Sequence, residues 1–348
     1  METRGRMGQV AGVRILGTGA YVPENTVTNE DLAALGCDSD WIIRRTGIQE
    51  RRHATDDQAT SDLCYEAAVQ CLDNAGVSAD EVDLILVATI TPDHFTPSTA
   101  CHLQRRLGAV AAAMDIGAAC AGFMYAMTTA AQFIAMENAK RVLVVGADLM
   151  SRLVDPNDKK TYPLFGDGAG AVLMGPSESA STPNQDGGNA VTAPATGILS
   201  YQLGSEGCGG EMLCIPAGGT RLPLTDETKS EGLQYLRMDG RNVFKWAVRV
   251  FAESAADVMT AAGVTSDELD LVVLHQANQR IIDSAVSDLA VSSDKVFVNL
   301  NRYGNTSGAS IPLALDEAAR AGRLKPGDLV LLCGFGSGLA WGTALLRY

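Results

Sequence analysis

Two stretches of this chain repeat one another. AGVSADEVDLIL (75–86) and AGVTSDELDLVV (262–273) are identical at seven of twelve positions, at an offset of 187 residues. At nearly the same offset, VLVVG (142–146) has the pattern of VLLCG (330–334). Two matches at almost one spacing point to an internal duplication with halves of about 175 residues, a period far too long for a solenoid. The chain is accordingly expected to divide into residues 1–178 and 179–348.

Within each half, apolar β-branched runs alternate with amphipathic helical patterns. VDLILVATI, STACHLQRRLG, AAMDIGA, CAGFMYAMTTAAQFIAM and RVLVVGADL follow one another in the first half. Such alternation predicts an α/β protein with largely buried strands. With 46% hydrophobic residues in 348, the chain can fill one large core or two modest ones. The tract 175–197, rich in Ser, Pro, Gly and Asn, reads as an exposed connection between the halves.

The charge balance narrows the partners. Forty-one acidic against 27 basic residues give a formal net charge of −14, which argues against nucleic acid or an anionic membrane as partner. No apolar window is long enough to span a bilayer, and METRGRMGQV lacks the apolar stretch of a secretory leader. Eight cysteines without a CxxC pair read as reduced thiols in a cytoplasmic setting. Four histidines without ligand spacing predict no metal centre. FGDGAGA (165–171) and CGFGSGLAWG (333–342) lack the spacing of a dinucleotide or phosphate loop, so no nucleotide cofactor is expected. Their glycines read instead as allowing close backbone approach around a thiol.

That thiol is Cys120, in GAACAGF (117–123), where a strand-like run gives way to a long helical pattern. Free N–H groups and partial positive charge at a helix N-terminus favour thiolate over thiol. The small neighbours leave room for a substrate, and a backbone N–H there can donate to an oxyanion. A buried, inert cysteine fits the same local context. His275 ends the apolar run LDLVVLHQANQR, where a strand should meet a loop and where functional groups gather in open sheets, although a lone histidine is often structural. Asn305 stands in NRYGNTSGASIP, compatible with turn-and-cap chemistry or with an amide aimed into a site. The same triplet as a glycosylation acceptor is at odds with the missing leader.

Taken together, ACAGF, HQAN and GNTS in that order, with WIIRRTGI, FGDGAGA, IPAGG and the closing GFGSGLAWG, resemble the β-ketoacyl-acyl-carrier-protein synthase III family from about Val13 to Tyr348. The resemblance implies a thiolase-like fold: two similar halves, the first with the nucleophilic cysteine and the second with the histidine and asparagine, forming a five-layer αβαβα sandwich and a homodimer. It implies catalysis by Cys120, His275 and Asn305, and an oxyanion hole from the backbone of Cys120 and Ser337. Ser337 stands where the family commonly has glycine, a change that a backbone donor survives. It implies coenzyme A contacts at Trp41, Arg45 and Asn278, and at Lys159 in place of an arginine, which lacks arginine's planar fork.

The activity implied is a decarboxylative Claisen condensation. An acyl group passes from acyl-coenzyme A to Cys120 and then to the malonyl carbon of malonyl-acyl carrier protein, initiating type II fatty acid synthesis. Coenzyme A is a substrate, and no cofactor is implied. Acyl carrier proteins are strongly acidic, so docking requires a local basic patch, expected at Lys245, Arg249 and Arg280. The resemblance places Thr96 and Phe165 at the acyl pocket. Thr96 stands where relatives often carry a phenylalanine that closes the partner's pocket, which predicts tolerance of starters longer than acetyl. Rival readings are a paralogue that primes a polyketide or acylates oxygen or nitrogen, and a catalytically inactive structural or regulatory homologue. A thiolase would use a second cysteine where this chain has Asn305.

Overall fold

The computed structural model describes residues 5–177 and 196–348. The repeated sequence is a repeated piece of local chemistry. Each copy begins where a long helix ends, at Gly76 (φ 64°) after α2 (Thr60–Ala75) and at Gly263 (φ 67°) after α6 (Gly240–Ala262). Both glycines hold the left-handed conformation that closes a helix and that a side chain would strain. A Ser/Thr-x-x-Glu box follows in each: Glu81 accepts from the N–H of Ser78 at 3.1 Å, and Glu268 from that of Thr265 at 2.8 Å. The chain then enters a buried strand, β5 (Leu84–Ala88) or β12 (Leu271–Leu274).

The remaining strands are β1 (Arg6–Ala11), β2 (Val13–Tyr21), β6 (Ala112–Ile116), β7 (Val142–Leu149), β8 (Asp167–Pro176), β9 (Gly197–Ser205), β13 (Leu329–Gly336) and β14 (Ala340–Arg347), with two short pairs, β3 (Thr26–Thr28) with β4 (Glu50–Arg52) and β10 (Leu213–Cys214) with β11 (Arg237–Met238). The first five-stranded sheet has the order β2-β8-β7-β5-β6, and the second β1-β9-β14-β13-β12. In each, the repeat strand runs parallel to a later strand of its half, with Leu84 opposite Val142 and Leu271 opposite Val330. An isolated bridge from Val272 to Val296 stands where β6 stands in the first sheet.

Helices fill three layers. α2 and α3 (Thr99–Leu107) cover the outer face of the first sheet, burying Leu63, Ala67 and Leu103 against Ile85 and Val145. α6 and α7 (Gln279–Leu289) cover the second through Trp246, Phe251 and Ile282. Between the sheets lie α4 (Gly122–Ala135) and α9 (Ser310–Arg320). α4 is apolar or small on nearly every side, as a helix buried all round must be. Its Phe123, Met124 and Met127 join Val144, Val273 and Val330 in one central core. The short helices α1 (Ser39–Thr46), α5 (Asp226–Ser230) and α8 (Leu300–Tyr303) lie in connections. The five-layer αβαβα arrangement expected from the sequence is thus present.

One strand crosses the expected division. β1, from the very start of the chain, pairs with β9 in the second sheet, Met7 opposite Gln202. The 178/179 boundary and most of the 175–197 tract lie outside the described residues.

Candidate active site

The two central helices are entered by the same device. Ala119–Ala121 forms a 3-10 turn ahead of α4, and Ser307–Ala309 forms one ahead of α9. Each turn opens on a non-glycine residue with positive φ, Ala119 at 47° and Ser307 at 50°. Such backbone is uncommon and costs on the order of 1–3 kcal/mol at each residue, a strain that clusters at functional sites. The pairing sets Cys120 beside Ser307, with the sulfur donating to the Ser307 hydroxyl at 3.4 Å.

Cys120, His275 and Asn305 line one cavity of about 170 Å³. His275 follows directly on β12, and its backbone N–H bonds Cys333 O at 2.8 Å. Its ring meets Phe335 edge-on at 5.3 Å between centroids. Nδ1 lies 2.7 Å from the Ser310 hydroxyl. A Ser310 hydroxyl that donates to Nδ1 would leave the ring's own proton on Nε2, as a donor. Burial pushes the imidazole pKa down to about 3, so the ring is neutral. Asn305 shows the turn chemistry that its sequence context allowed. Its Oδ1 accepts from Ser307 N–H at 2.8 Å, which is turn chemistry, and this leaves the Nδ2 amide as a donor. Backbone bonds from Asn305 N to Leu164 O (2.8 Å) and from Gly166 N to Asn305 O (3.1 Å) fix its position.

The thiol corrects one expectation. Burial, not the helix end, dominates at Cys120 and pushes its pKa up to about 12, with the Ser307 hydrogen bond pulling the other way and buried Asp148 adding to the rise. A group at 12 rather than its ordinary 9 disfavours thiolate by on the order of 4 kcal/mol.

The glycine-rich terminal segment acts as the sequence suggested. A Cβ at Gly336 would stand 2.8 Å from Cys120 Cβ and 2.9 Å from its backbone N, so only glycine lets β13 lie against the thiol. Ser337 lines the cavity and its hydroxyl donates to Leu213 O. Phe165 lines it too, whereas Thr96 does not: Thr96 borders a separate surface groove with Phe95, which is 94% exposed.

The cavity opens outward through Leu164, Met238, Phe244 and Asn278, which also line a larger groove of about 980 Å³. Here Trp41, Arg45, Lys159, Lys245 and Arg280 come together. Arg45 stacks on the Trp41 ring at 4.5 Å, one helical turn apart on α1. Asn278 caps α7 by accepting from Arg280 N at 2.9 Å, and its amide donates to Arg45 O at 3.1 Å, tying both walls of the groove. Arg249 stands apart, ion-paired with Glu206 (3.1 Å) and Glu253 (3.3 Å). Lys160 and Arg241 join the groove without having been singled out; Arg241 lies one helical turn before Lys245, a spacing visible in the sequence. Ser307, Ser310 and Asp148 were likewise passed over. Among the described residues, no group of three or more His, Cys, Asp or Glu is placed to hold a metal ion, and no helix is long and apolar enough to cross a membrane.

A duplicated sheet-and-helix unit, with a cysteine in the turn that opens one central helix facing groups from the other half, defines a thiolase-fold acyltransferase. Comparison with known proteins narrows the class. The profile described as "3-Oxoacyl-[acyl-carrier-protein (ACP)] synthase III" matches residues 114–207, and its C-terminal counterpart matches 259–348. A β-ketoacyl-[acyl-carrier-protein] synthase III of Rhodopirellula baltica is 74% identical, covering 98% of this chain and all of the relative. That of Geobacillus kaustophilus is 49% identical, over 97% of this chain and 99% of the relative. The crystal structure of 3-oxoacyl-[acyl-carrier-protein] synthase III from Aquifex aeolicus superposes with a TM-score of 0.86 at 42% identity, over 97% of this chain and all of that one. The chain belongs to the β-ketoacyl-[acyl-carrier-protein] synthase III family.

Proposed function

We propose that the protein condenses an acyl-coenzyme A starter with malonyl-acyl carrier protein through an acyl group held on Cys120. The observation that carries this reading is the meeting of one thiol and two neutral donors, His275 and Asn305, in an apolar cavity at the foot of a basic groove. Arg45, Lys159 and Trp41 suit the phosphates and adenine of coenzyme A. The Cys120 sulfur attacks the thioester carbonyl, and backbone N–H groups of Cys120 and Ser337 hold the oxyanion. Coenzyme A departs and the malonyl thioester enters, its carbonyl held by His275 Nε2 and Asn305 Nδ2. Those donors stabilise the enolate left as carbon dioxide leaves, and they need no reorganisation as charge develops. The enolate attacks the acyl carbon and frees Cys120, giving ping-pong kinetics. Every step is within reach of protein side chains and substrates, without a further cofactor. The high identity to synthases of this family does not favour the polyketide-priming or inactive readings.

The acidic carrier protein would dock on Arg280 and Lys245 at the groove rim, with Arg241 beside them. A homodimer is part of the reading. β6 is the edge of its sheet, and Val110 before it (87% exposed) and Phe95 offer apolar surface on that side. Thr96 would then serve the partner's acyl pocket rather than its own. Eight free cysteines suit the reducing cytoplasm.

Separating the half-reactions tests the assignment. Cys120→Ala should take no acyl group from acyl-coenzyme A, by intact-protein mass, yet still decarboxylate malonyl thioesters. His275→Ala and Asn305→Ala should still load but lose decarboxylation by about 10²–10³-fold each. Loading that collapsed in both donor variants while decarboxylation survived would overturn these roles.

A further inference from the structure

One wall of the cavity around Cys120 is lightly built. Leu213 of β10 and Met238 of β11 stand opposite one another and both line the cavity, as does Leu236. Each of these strands is two residues long. Leu213 and Leu236 pack with Met150, Val154 and Phe165 in a small cluster of their own rather than in the large cores on the two sheets. The chain leading into this wall is pinned where Glu206 and Leu339 exchange backbone bonds at 2.7 and 3.1 Å, and Leu236 N–H bonds Leu153 O at 2.8 Å. Asp239 N–H bonds Met212 O at 2.8 Å, one step outside the pair of Leu213 and Met238. In an antiparallel ladder that makes Leu213 and Met238 a non-hydrogen-bonded pair, so the Leu213 carbonyl turns away from β11. Its partner is Ser337, whose hydroxyl donates to it at 2.5 Å. Ser337 itself lines the cavity, directly after Gly336, the residue that abuts Cys120. One hydroxyl therefore joins the segment beside the thiol to the wall of the cavity.

We infer that Ser337 is a specificity-determining residue: its hydroxyl holds β10 in place and so limits the acyl group that Cys120 accepts. The inference rests on Cys120 carrying the acyl group, as proposed above. Glycine, which the family commonly has at this position, offers no such hydroxyl. Acetyl is seated with the bond from Ser337 to Leu213 intact. An acyl group larger than the cavity holds is seated only if Leu213 and Met238 give way. Their retreat breaks that bond and leaves a partly buried carbonyl without its partner, a cost that acetyl never meets. The choice between starters then contains the strength of one hydrogen bond, borne by the larger starter alone. Removing the hydroxyl imposes the loss on the protein before any starter binds, so the two starters draw closer together. The backbone N–H of residue 337, assigned above to the oxyanion, is kept when the side chain is changed.

Ser337→Ala tests this. The Ser337 backbone is not left-handed, so alanine adds no conformational strain. Loading of the protein from acetyl-, butyryl- and octanoyl-coenzyme A would be measured as kcat/KM, with the adduct located by mass and the fold of each variant checked by urea unfolding. The butyryl-to-acetyl and octanoyl-to-acetyl ratios should rise in Ser337→Ala, the latter by about 3- to 10-fold, the range of one hydrogen bond. Ser337→Thr keeps the hydroxyl and should keep the wild-type ratios. If Ser337→Ala slowed all three starters alike and left the ratios unchanged, the hydroxyl would serve only the segment beside the thiol and the inference would be wrong. A threonine variant as permissive as the alanine one would also overturn it. Should the alanine variant not fold, Ser337→Gly lacks the same hydroxyl and is read in its place. Absence of any adduct at Cys120 in the wild type, with every starter, would instead remove Cys120 as the acyl carrier and this inference with it.

Discussion

Gly336→Ala isolates how closely the thiol's position is held. The Gly336 backbone is not left-handed, so alanine brings no conformational strain of its own and the effect is steric. The new methyl would meet Cys120 Cβ at 2.8 Å, its backbone N at 2.9 Å and Sγ at 3.2 Å. Carbon atoms rest at about 3.5–4.0 Å, so the turn carrying Cys120 must retreat by roughly 1 Å. Neither Cβ nor N can rotate out of the way, so the displacement reaches the sulfur. A shift of that size at a reacting atom costs on the order of 10²-fold in rate. The overpacking itself costs about 1–3 kcal/mol of stability. Gly334→Ala is the milder comparison: its methyl meets Met124 Cγ at 3.0 Å and Ala121 Cα and Cys120 O at 3.3 Å, contacts that need give by only a few tenths of an ångström, and none of them is with the sulfur or its own Cβ. Quenched-flow transfer of radiolabelled acetyl to the protein, with urea unfolding of each variant, gives both quantities. A folded Gly336→Ala that loads at the wild-type rate, or a Gly334→Ala as damaged as Gly336→Ala, would refute the steric argument.

Three other outcomes can be checked. Arg280→Glu should raise KM for malonyl-acyl carrier protein with little change in acetyl loading, while Arg249→Ala should change neither, because Arg249 is already paired with Glu206 and Glu253 outside the groove; saturation kinetics with the carrier substrate decide. For His275, the folded pKa of about 3 lies below the ordinary 6.5, so the unfolded chain binds more protons between those values and stability falls as pH drops. Its share should be about 2 kcal/mol between pH 7 and pH 5, read as the extra pH dependence of wild type over His275→Asn in urea titrations. For the starter, wild type should accept butyryl- and octanoyl-coenzyme A as well as acetyl, and Thr96→Phe should narrow that range; kcat/KM ratios that the phenylalanine leaves unchanged would remove Thr96 from chain-length control.

What the sequence made legible was local. Gly76 with its Ser78–Glu81 box and Gly263 with its Thr265–Glu268 box are the same short-range chemistry written twice, so the duplication could be read before any fold was known. Cys120 was visible through its small neighbours. What escaped was long-range. Ser310 matters because it orients a ring 35 positions away, and Ser307 because it touches a sulfur 187 positions away. The thiol's protonation was misjudged for the same reason: a helix end is written in the adjacent residues, but burial is contributed by β13 and the opposite half. Asp148 did leave a trace, as a lone acid near the end of an apolar strand.

The crossing of β1 into the second sheet sets an order of assembly during synthesis. Residues 6–11 are synthesised long before their partner β9, which begins only at Gly197. α4 waits longer still, since the second sheet that covers it is completed by β13 and β14, which follow every other strand in the order given above. Through most of translation the nascent chain therefore carries a helix with Phe123, Met124 and Met127 half-covered and a strand with an open edge. Both are surfaces on which unfinished chains aggregate. The nucleophile at the head of that helix acquires its setting only when the last strands arrive, so a ribosome stalled before Leu329 releases a product that is sticky and inactive rather than a working half-enzyme.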